Sequence, residues 1–260
     1  MESMSPSLAD KRNAPRRRWF QFSVRGLLAL TVVVAVAALL YAKRDRDLAD
    51  ATAAEYVQIA DPTYSDDGAL IGLNFCKWRV STVGGSKYVR AGDADLADLP
   101  RLRQLKQITL CGSQVTDEAL RIVCQIDGLE YLVSEHAQVT DEGLRHIGRL
   151  RSLRVLDLTG ARITDAGLAH IAHLPQLATL RLDDTAITDR AVSHLRSMPA
   201  LSRLSLSRTF ISDLGFVYLC DFQNLTALYL LETQVTEEEV DRIGSATPKL
   251  SIMASPRRDR

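Results

Sequence analysis

The feature that most constrains this chain is a short repeat of fixed period. The stretch ARITDAGLAHIAHLPQLATLRLDDTAITD carries the triplet Ile-Thr-Asp at Ile163 and again at Ile187, a step of 24. Variants of the triplet recur in this register, without an insertion, and their apolar members are Val115, Val139, Ile163, Ile187, Ile211 and Val235. A degenerate copy of the triplet, Ala91-Gly92-Asp93, lies one repeat of 24 residues upstream of Val115. A unit this short cannot bury its own apolar side, so the sequence predicts stacked units that share one core.

The apolar spacing inside the unit predicts one helix and one strand per repeat. Leu168, Ile171 and Leu174 have the spacing of one side of a short helix. Leu180 and Leu182 alternate as in a short strand with one buried face. The Thr-Asp pair before each helix predicts a helix N-cap in every repeat. The hydroxyl can accept a hydrogen bond from a free amide of the first turn, and the negative charge of the acid is favourable at the positive helix N-terminus.

The stretch LRVLDLTGARITDAGLAHIAHLPQL resembles a leucine-rich repeat, L-x-x-L-x-L-x-x-(N/C/T)-x-(I/L), and its ITDAGL form is similar to the cysteine-containing subclass. The resemblance covers about residues 91–254. It implies an α/β solenoid in which a parallel sheet lines the concave side and short helices lie outside. The usual Asn or Cys is replaced by Ser113, Ala137, Ala161, Thr185, Thr209 and Thr233. Ser134 stands where other repeats have Leu or Ile, which predicts a local packing defect.

The N-terminal part of the chain, residues 1–42, predicts a membrane signal anchor. Residues 1–25 are basic, and residues 26–42 carry no charge over 17 positions, the low end for a spanning helix. The basic excess favours a cytoplasmic N-terminus, so we expect a single pass through the inner membrane with the repeats exported to the periplasm. Cleavage as a signal peptide at Ala35-Val36-Ala37 and twin-arginine export through Arg17-Arg18 are alternatives. The segment RRRWFQFSVRGLLAL, followed by such repeats, resembles the membrane-anchored leucine-rich repeat proteins of planctomycete bacteria.

Between the anchor and the repeats, residues 43–68 read as a linker. Residues 69–90 alternate around Gly84-Gly85 and predict a hairpin in an N-terminal cap. A last strand is expected at residues 250–254, followed by a tail at residues 255–260.

Charge and cysteine content narrow the function classes. Residues 91–254 hold 22 acidic and 16 basic residues, a net charge of −6, whereas a nucleic-acid binder usually carries a basic stripe. No C-x-x-C motif supports a zinc or redox site. Cys124 and Cys220 lie four repeats apart, about 19 Å, which excludes a disulfide between them. A pair between Cys76 and Cys111 stays open.

No residue pattern predicts catalysis, a metal or a cofactor. His146, His170 and His194 share one repeat position. Packed helices lie about 8–10 Å apart and Zn–N bonds are about 2 Å long, so a solvated stripe is the better interpretation.

We therefore expect binding on the concave face, centred on Tyr131, Asp157, Arg181, Arg203 and Tyr229. Asp157, Arg181 and Asp183 should lie near one another there. The predicted function is a membrane-anchored module that binds an unknown protein or other envelope ligand. Two alternatives are an enzyme that uses the concave face and an intracellular adaptor, since the ITDAGL subclass occurs in ubiquitin-ligase substrate receptors.

Overall fold

One strand from each repeat enters a single sheet. In this computed structural model the sheet has nine strands in the described residues, and all but the first run parallel. Its strands are β1 Asp61–Tyr64, β2 Leu70–Asn74, β5 Gln107–Cys111, β6 Tyr131–Glu135, β7 Val155–Asp157, β8 Thr179–Arg181, β9 Arg203–Ser205, β10 Ala227–Thr233 and β11 Ser251–Pro256. From β5 to β11 each strand begins one sequence period after the previous one, so the period of the sequence is the period of the sheet.

The structure describes residues 43, 61–66, 69–75, 78–82, 85–89, 92–112, 114–244 and 247–256. The predicted cytoplasmic segment, 1–25, and the predicted anchor, 26–42, lie outside them. Among the described residues, no helix has the length and apolar character needed to cross a membrane.

Two antiparallel strand pairs precede the repeats in the chain. β1 pairs antiparallel with β2 and lies within residues 43–68, which the sequence predicts to be a linker. A separate hairpin joins β3, Trp78–Thr82, to β4, Gly85–Val89, so the hairpin predicted around Gly84-Gly85 is present.

Short helices connect the strands on the other side of the core. They are α1 Asp117–Val123, α2 Asp141–Ile147, α3 Asp165–Leu168, α4 Val192–Arg196, α5 Asp213–Cys220 and α6 Glu237–Gly244, with 3-10 helices at Asp93–Leu96, Leu99–Arg101 and Asp189–Ala191. Helix α3 is shorter than the apolar spacing predicts, because the chain after Leu168 continues in tight turns. There the amide of Ile171 donates to the carbonyl of Leu168, three residues back, at 3.1 Å. Ile171 and Leu174 are nevertheless fully buried.

The core lies between the helices and the sheet and runs through all repeats without a break. The Ile or Val of every triplet is buried, and so are both strand leucines, Leu180 and Leu182. Burial of such side chains contributes about 1.5–3 kcal/mol each. Stacking therefore supplies the stability that a single repeat lacks.

The Thr-Asp pair has two functions in the structure. The hydroxyl of Thr140 accepts from the amide of Glu142 at 3.3 Å and caps α2, as predicted. The carboxylate of Asp117, one repeat earlier, accepts from the amide of Thr140 at 2.8 Å and from its hydroxyl at 2.6 Å. We call this arrangement, in which one carboxylate accepts from both the amide and the hydroxyl of the residue 23 positions later, a bracket. Six aspartates form one: Asp93, Asp117, Asp141, Asp165, Asp189 and Asp213. The aspartates therefore link neighbouring repeats, which the capping interpretation did not include.

The sequence at the bracket leaves space for the carboxylate. A Cβ atom added to Gly143 would lie 2.5 Å from Oδ1 of Asp117, and one added to Gly167 would collide with Oδ1 of Asp141 in the same way. The degenerate triplet Ala91-Gly92-Asp93 retains the aspartate, and Asp93 accepts hydrogen bonds from the amide and the hydroxyl of Thr116. In the last triplet Glu237 replaces the aspartate, and no further Thr-Asp turn follows it.

A left-handed residue lies at the C-terminal end of each strand from β5 to β10, within β10 at Glu232 and after the strand in the other repeats. The positions recur once per repeat and comprise Gly112, His136, Gly160, Asp184, Arg208 and Glu232, with φ between 50° and 107°. The amide of His136 donates to the carbonyl of Thr159 at 2.7 Å, and the amide of Gly160 donates to the carbonyl of Asp183 at 2.8 Å. These bonds continue the ladder between repeats beyond the strands and stabilise a conformation that non-glycine residues rarely adopt.

Ser134 is the predicted defect in the core. It lies on β6 at the position that Leu110, Leu158 and Leu182 fill in other repeats, and it is fully buried. Its hydroxyl has no hydrogen-bond partner among the described residues. A buried polar group in that state destabilises a protein by about 1–3 kcal/mol.

Candidate functional site

The open sheet face is the side of the sheet that points away from the helices. It carries the side chains that alternate with the buried leucines, so on β5 Gln107 and Thr109 face outward whereas Ile108 and Leu110 face the core. Neighbouring packed helices lie about 8–10 Å apart, whereas neighbouring strands lie only about 4.8 Å apart. A stack of such repeats therefore curves with its helices outside and its open sheet face on the concave side.

A fixed guanidinium lies near the middle of this face. Arg181 on β8 places Nη1 3.0 Å from Oδ2 of Asp157 on β7, and its Nε lies 3.6 Å from Oδ2 of Asp183. The Arg181 side chain is half exposed, so one side of the guanidinium is held by two carboxylates while the other faces solvent.

Both carboxylates are buried and accept hydrogen bonds from nearby amide and hydroxyl groups. Asp157 is 2% exposed, and its Oδ1 accepts from the amide of Thr159 at 3.0 Å and from its hydroxyl at 2.6 Å. Oδ1 of Asp183 accepts from the hydroxyl of Ser205 at 2.5 Å and from the amide of Ser207 at 2.7 Å. Asp157 was predicted to be a binding residue. In this position it orients Arg181 rather than presenting a surface to a partner.

Three of the five predicted residues surround one depression. Its volume is about 270 Å³ and its lining comprises Thr179, Leu180, Arg181, Arg203, Leu204, Ser205 and Tyr229. Arg203 on β9 is exposed and forms no ion pair with any residue that the structure describes. Arg181, Arg203 and Tyr229 therefore present two cations and one phenol to the same space.

Tyr131 lies apart from this group. It is in register with Val155, Thr179 and then Arg203 on successive strands, which places it about 14 Å from Arg203. Tyr131 is exposed on the same face, so a ligand that occupies the depression can also contact Tyr131 only if it extends over several repeats.

The five predicted binding residues do not include two apolar residues beside the depression. Leu231 on β10 is 42% exposed and Met253 on β11 is 55% exposed, next to Tyr229 at 37%. Met253 is the in-register neighbour of Tyr229. The alternation of Leu228 and Leu230 along β10 predicts that Leu231 lies on the open sheet face, and its exposure confirms this. The alternation alone does not single it out as a contact residue.

The cysteines fall into two chemical states. Cys111 on β5 is disulfide-bonded, whereas Cys124 and Cys220 are free thiols, which confirms that these two do not pair. The pair between Cys76 and Cys111 that the sequence leaves open involves Cys76, which lies outside the described residues. Burial raises the pKa of the Cys124 and Cys220 thiols to about 12, which makes both poor nucleophiles.

The histidine stripe shows no metal geometry. His170 is exposed, and His146 and His194 are partly buried on the helical side. In the part of the chain that the structure describes, no three His, Cys, Asp or Glu side chains come together as a metal site would require.

A stacked repeat of one strand and one short helix, with buried leucines and an open parallel sheet, is the architecture of a leucine-rich repeat solenoid. The family model described as Leucine Rich repeat matches residues 149–172, which is one full repeat. The same unit recurs on both sides of that match, so the described repeats have the architecture of that family. Proteins of this architecture typically bind other proteins along their extended surfaces.

A search of the solved structures finds similarity to an internalin (inlF) from Listeria monocytogenes. The two chains share 18% identity with a TM-score of 0.44 over 64% of this chain and 58% of that protein. The present chain thus spans less than two thirds of the internalin. A search of the curated proteins finds no match.

Proposed function

We propose that this chain is a membrane-anchored leucine-rich repeat module that binds a polypeptide partner through its open sheet face. The observation that carries the proposal is the depression at β8–β10. There a guanidinium fixed by two buried carboxylates, the exposed Arg203, which forms no ion pair with the described residues, and the exposed Tyr229 converge. Arg and Tyr are the residue types that most often anchor protein interfaces, and a pre-oriented Arg loses little side-chain freedom on binding.

The anchor and the exported location are part of the same proposal. The uncharged segment 26–42, preceded by the basic segment 1–25, supports a signal anchor in the inner membrane with a cytoplasmic N-terminus. The oxidised state of Cys111 supports a periplasmic location for the repeats, because disulfides persist in oxidising compartments. We also infer that the repeats belong to the cysteine-containing-like subclass and that the chain is related to the membrane-anchored proteins of planctomycetes. The enzyme and intracellular-adaptor alternatives gain no supporting observation from the described residues.

The binding surface is tested by a matched pair of double variants of the full chain. Arg203→Glu with Tyr229→Ser alters the depression, whereas Arg190→Glu with Tyr218→Ser alters an equivalent Arg and Tyr that line a depression on the helical side. Each tagged chain is used to capture partners from detergent-solubilised envelope. We expect the sheet variant to lose the wild-type partner and the helical variant to retain it. The reverse pattern would place the interface on the helices.

The location is tested independently with a C-terminal tag in osmotically opened cells. Export predicts that added protease removes the tag while the inner membrane is intact. Protection of the tag until that membrane is lysed would contradict the proposed orientation. A soluble tagged fragment beginning near residue 38 would show cleavage in place of anchoring.

A further inference from the structure

We propose that the segment of the partner that occupies the open sheet face is acidic, with an apolar side chain two to four residues from the acid. This inference rests on the proposed function and specifies the chemistry of its ligand. It concerns β8 to β11, where a cationic half and an apolar half of the surface adjoin.

The cationic half favours a carboxylate. Arg203 is exposed with no ion pair in the described part of the chain, and the half-exposed Arg181 has its outward side free of the two carboxylates that hold it. A guanidinium offers a planar pair of donors that matches a carboxylate with two parallel hydrogen bonds.

The carboxylates already at this site do not satisfy that demand. Asp157 and Asp183 are buried beneath Arg181 and are engaged by Thr159, Ser205 and Ser207. They fix the position of Arg181 and do not pair with Arg203, which has no counter-charge among the described residues. Residues 91–254 carry a net charge of −6, and the two buried carboxylates balance the two guanidiniums in charge, so the site is cationic only at its exposed surface, where Arg203 and the outward side of Arg181 lie. Recognition of an acid must then come from short-range contacts at this depression.

The apolar half favours an aliphatic or aromatic side chain. Tyr229, Leu231 and Met253 expose between 37% and 55% of their surfaces on β10 and β11. Tyr229 lines the depression together with both arginines, so the cationic and apolar halves are continuous. Contiguous exposed apolar residues rimmed by polar ones typically mark a protein contact.

The strand spacing fixes the distance between the two ligand groups. Arg203 and Met253 lie two strands apart and Arg181 and Met253 three strands apart, and each step is about 4.8 Å. An extended peptide advances about 3.3 Å per residue. A segment that crosses the strands therefore spans about 10–14 Å between its carboxylate and its apolar anchor, which corresponds to about three to four residues. The long, flexible arginine side chain can lean toward the apolar half, which shortens the separation to about two residues.

The experiment selects ligands from a random dodecapeptide display library on the immobilised full chain in mild detergent. Wild type should enrich peptides that have Asp or Glu two to four positions from Leu, Ile, Met, Phe or Tyr. Arg203→Glu should lose the acid preference, and Leu231→Ser should lose the apolar preference. Arg190→Glu, on the helical side, should retain both.

Three results would overturn the inference: enrichment of basic or uncharged peptides, enrichment of acidic peptides that Arg203→Glu leaves unchanged, and no enrichment over empty support. Failure of the proposed function has a different signature. If capture from the envelope still depends on Arg203 and Tyr229 while the selected peptides are not acidic, the surface is assigned correctly and only its ligand chemistry is wrong.

Discussion

Replacement of Arg181 by Met should destabilise the solenoid even though the Arg181 side chain is half exposed. The substitution keeps much of the aliphatic stem but removes the counter-charge of Asp157, at 3.0 Å, and of Asp183, at 3.6 Å. Both aspartates are at least nine-tenths buried. They would then lie in a site of low polarity without a cation, which is costly for any carboxylate.

The size of the effect follows from the distances and the burial. With an effective dielectric constant of about 20, separations of 3.0 Å and 3.6 Å correspond to roughly 5 kcal/mol each. Solvent on the open side of Arg181 screens both interactions, and each carboxylate keeps two hydrogen bonds. We therefore expect a loss of about 2–3 kcal/mol, below the roughly 3–5 kcal/mol typical of breaking a fully buried pair. For a unit of this size that corresponds to a decrease in Tm of roughly 5–10 °C.

A double-mutant cycle separates the ion pair from general packing. Urea unfolding, followed by circular dichroism, is measured for wild type, Arg181→Met, Asp157→Asn and the double variant. Because the asparagine oxygen can still accept from Thr159 without a charge, we expect a coupling free energy of about 1–2 kcal/mol. The exposed pair of Arg121 and Glu118 is the matched control, and Arg121→Met should leave the midpoint unchanged. A loss under about 0.5 kcal/mol for Arg181→Met, or strict additivity in the cycle, would refute the proposed positioning of Arg181.

Three further predictions concern the repeats. Asp165→Ala removes the two hydrogen bonds that Asp165 accepts from Thr188 in the next repeat, at 2.8 Å and 2.6 Å, and should lower the free energy of unfolding in urea by about 2 kcal/mol. Glu237→Ala is the control, because Glu237 forms no bracket among the described residues, and it should have little effect. Equal losses for the two variants would contradict the stabilising role of the bracket. Ser134→Ala removes the unpaired buried hydroxyl and should raise the free energy of unfolding by about 1 kcal/mol, whereas a decrease would mean that the hydroxyl is bonded. Burial raises the pKa of the Cys124 and Cys220 thiols to about 12, so at pH 8 roughly one thiol in ten thousand is ionised. Dithionitrobenzoate should therefore label both slowly in the native protein and rapidly in guanidinium chloride, and rapid native labelling would contradict their burial.

The repeat period was sufficient to predict the architecture, because each buried position recurs and is apolar. Leu180, Leu182 and the triplet residues are buried as expected. Local conformation was harder to predict. The spacing of Leu168, Ile171 and Leu174 identifies which side is buried, but 3-10 turns and α-helix bury nearly the same residues, so the end of α3 at Leu168 was not foreseen.

The polar residues show where sequence reasoning reached its limit. The aspartate of each triplet was interpreted within its own helix, but its partners lie 23 residues away in the next repeat. Asp157 alternates with Leu156 and Leu158 as a solvent-facing residue should, yet it is buried beneath Arg181. The short spacing from Asp157 to Thr159 could have suggested an Asp side chain bonded to a nearby amide. The contact with Arg181 depends on strand register, which composition does not reveal.

In-cell photo-crosslinking tests the central claim, that the open sheet face carries the partner, most directly. Benzoylphenylalanine replaces either Tyr229 on the open sheet face, which is 37% exposed, or Tyr218 on the helical side, which is 51% exposed, in the full chain with a C-terminal tag. After irradiation we expect a discrete adduct with position 229 that Arg203→Glu removes, and no such adduct with position 218. An adduct with position 218 alone, or the same adduct with both positions, would contradict recognition through the open sheet face.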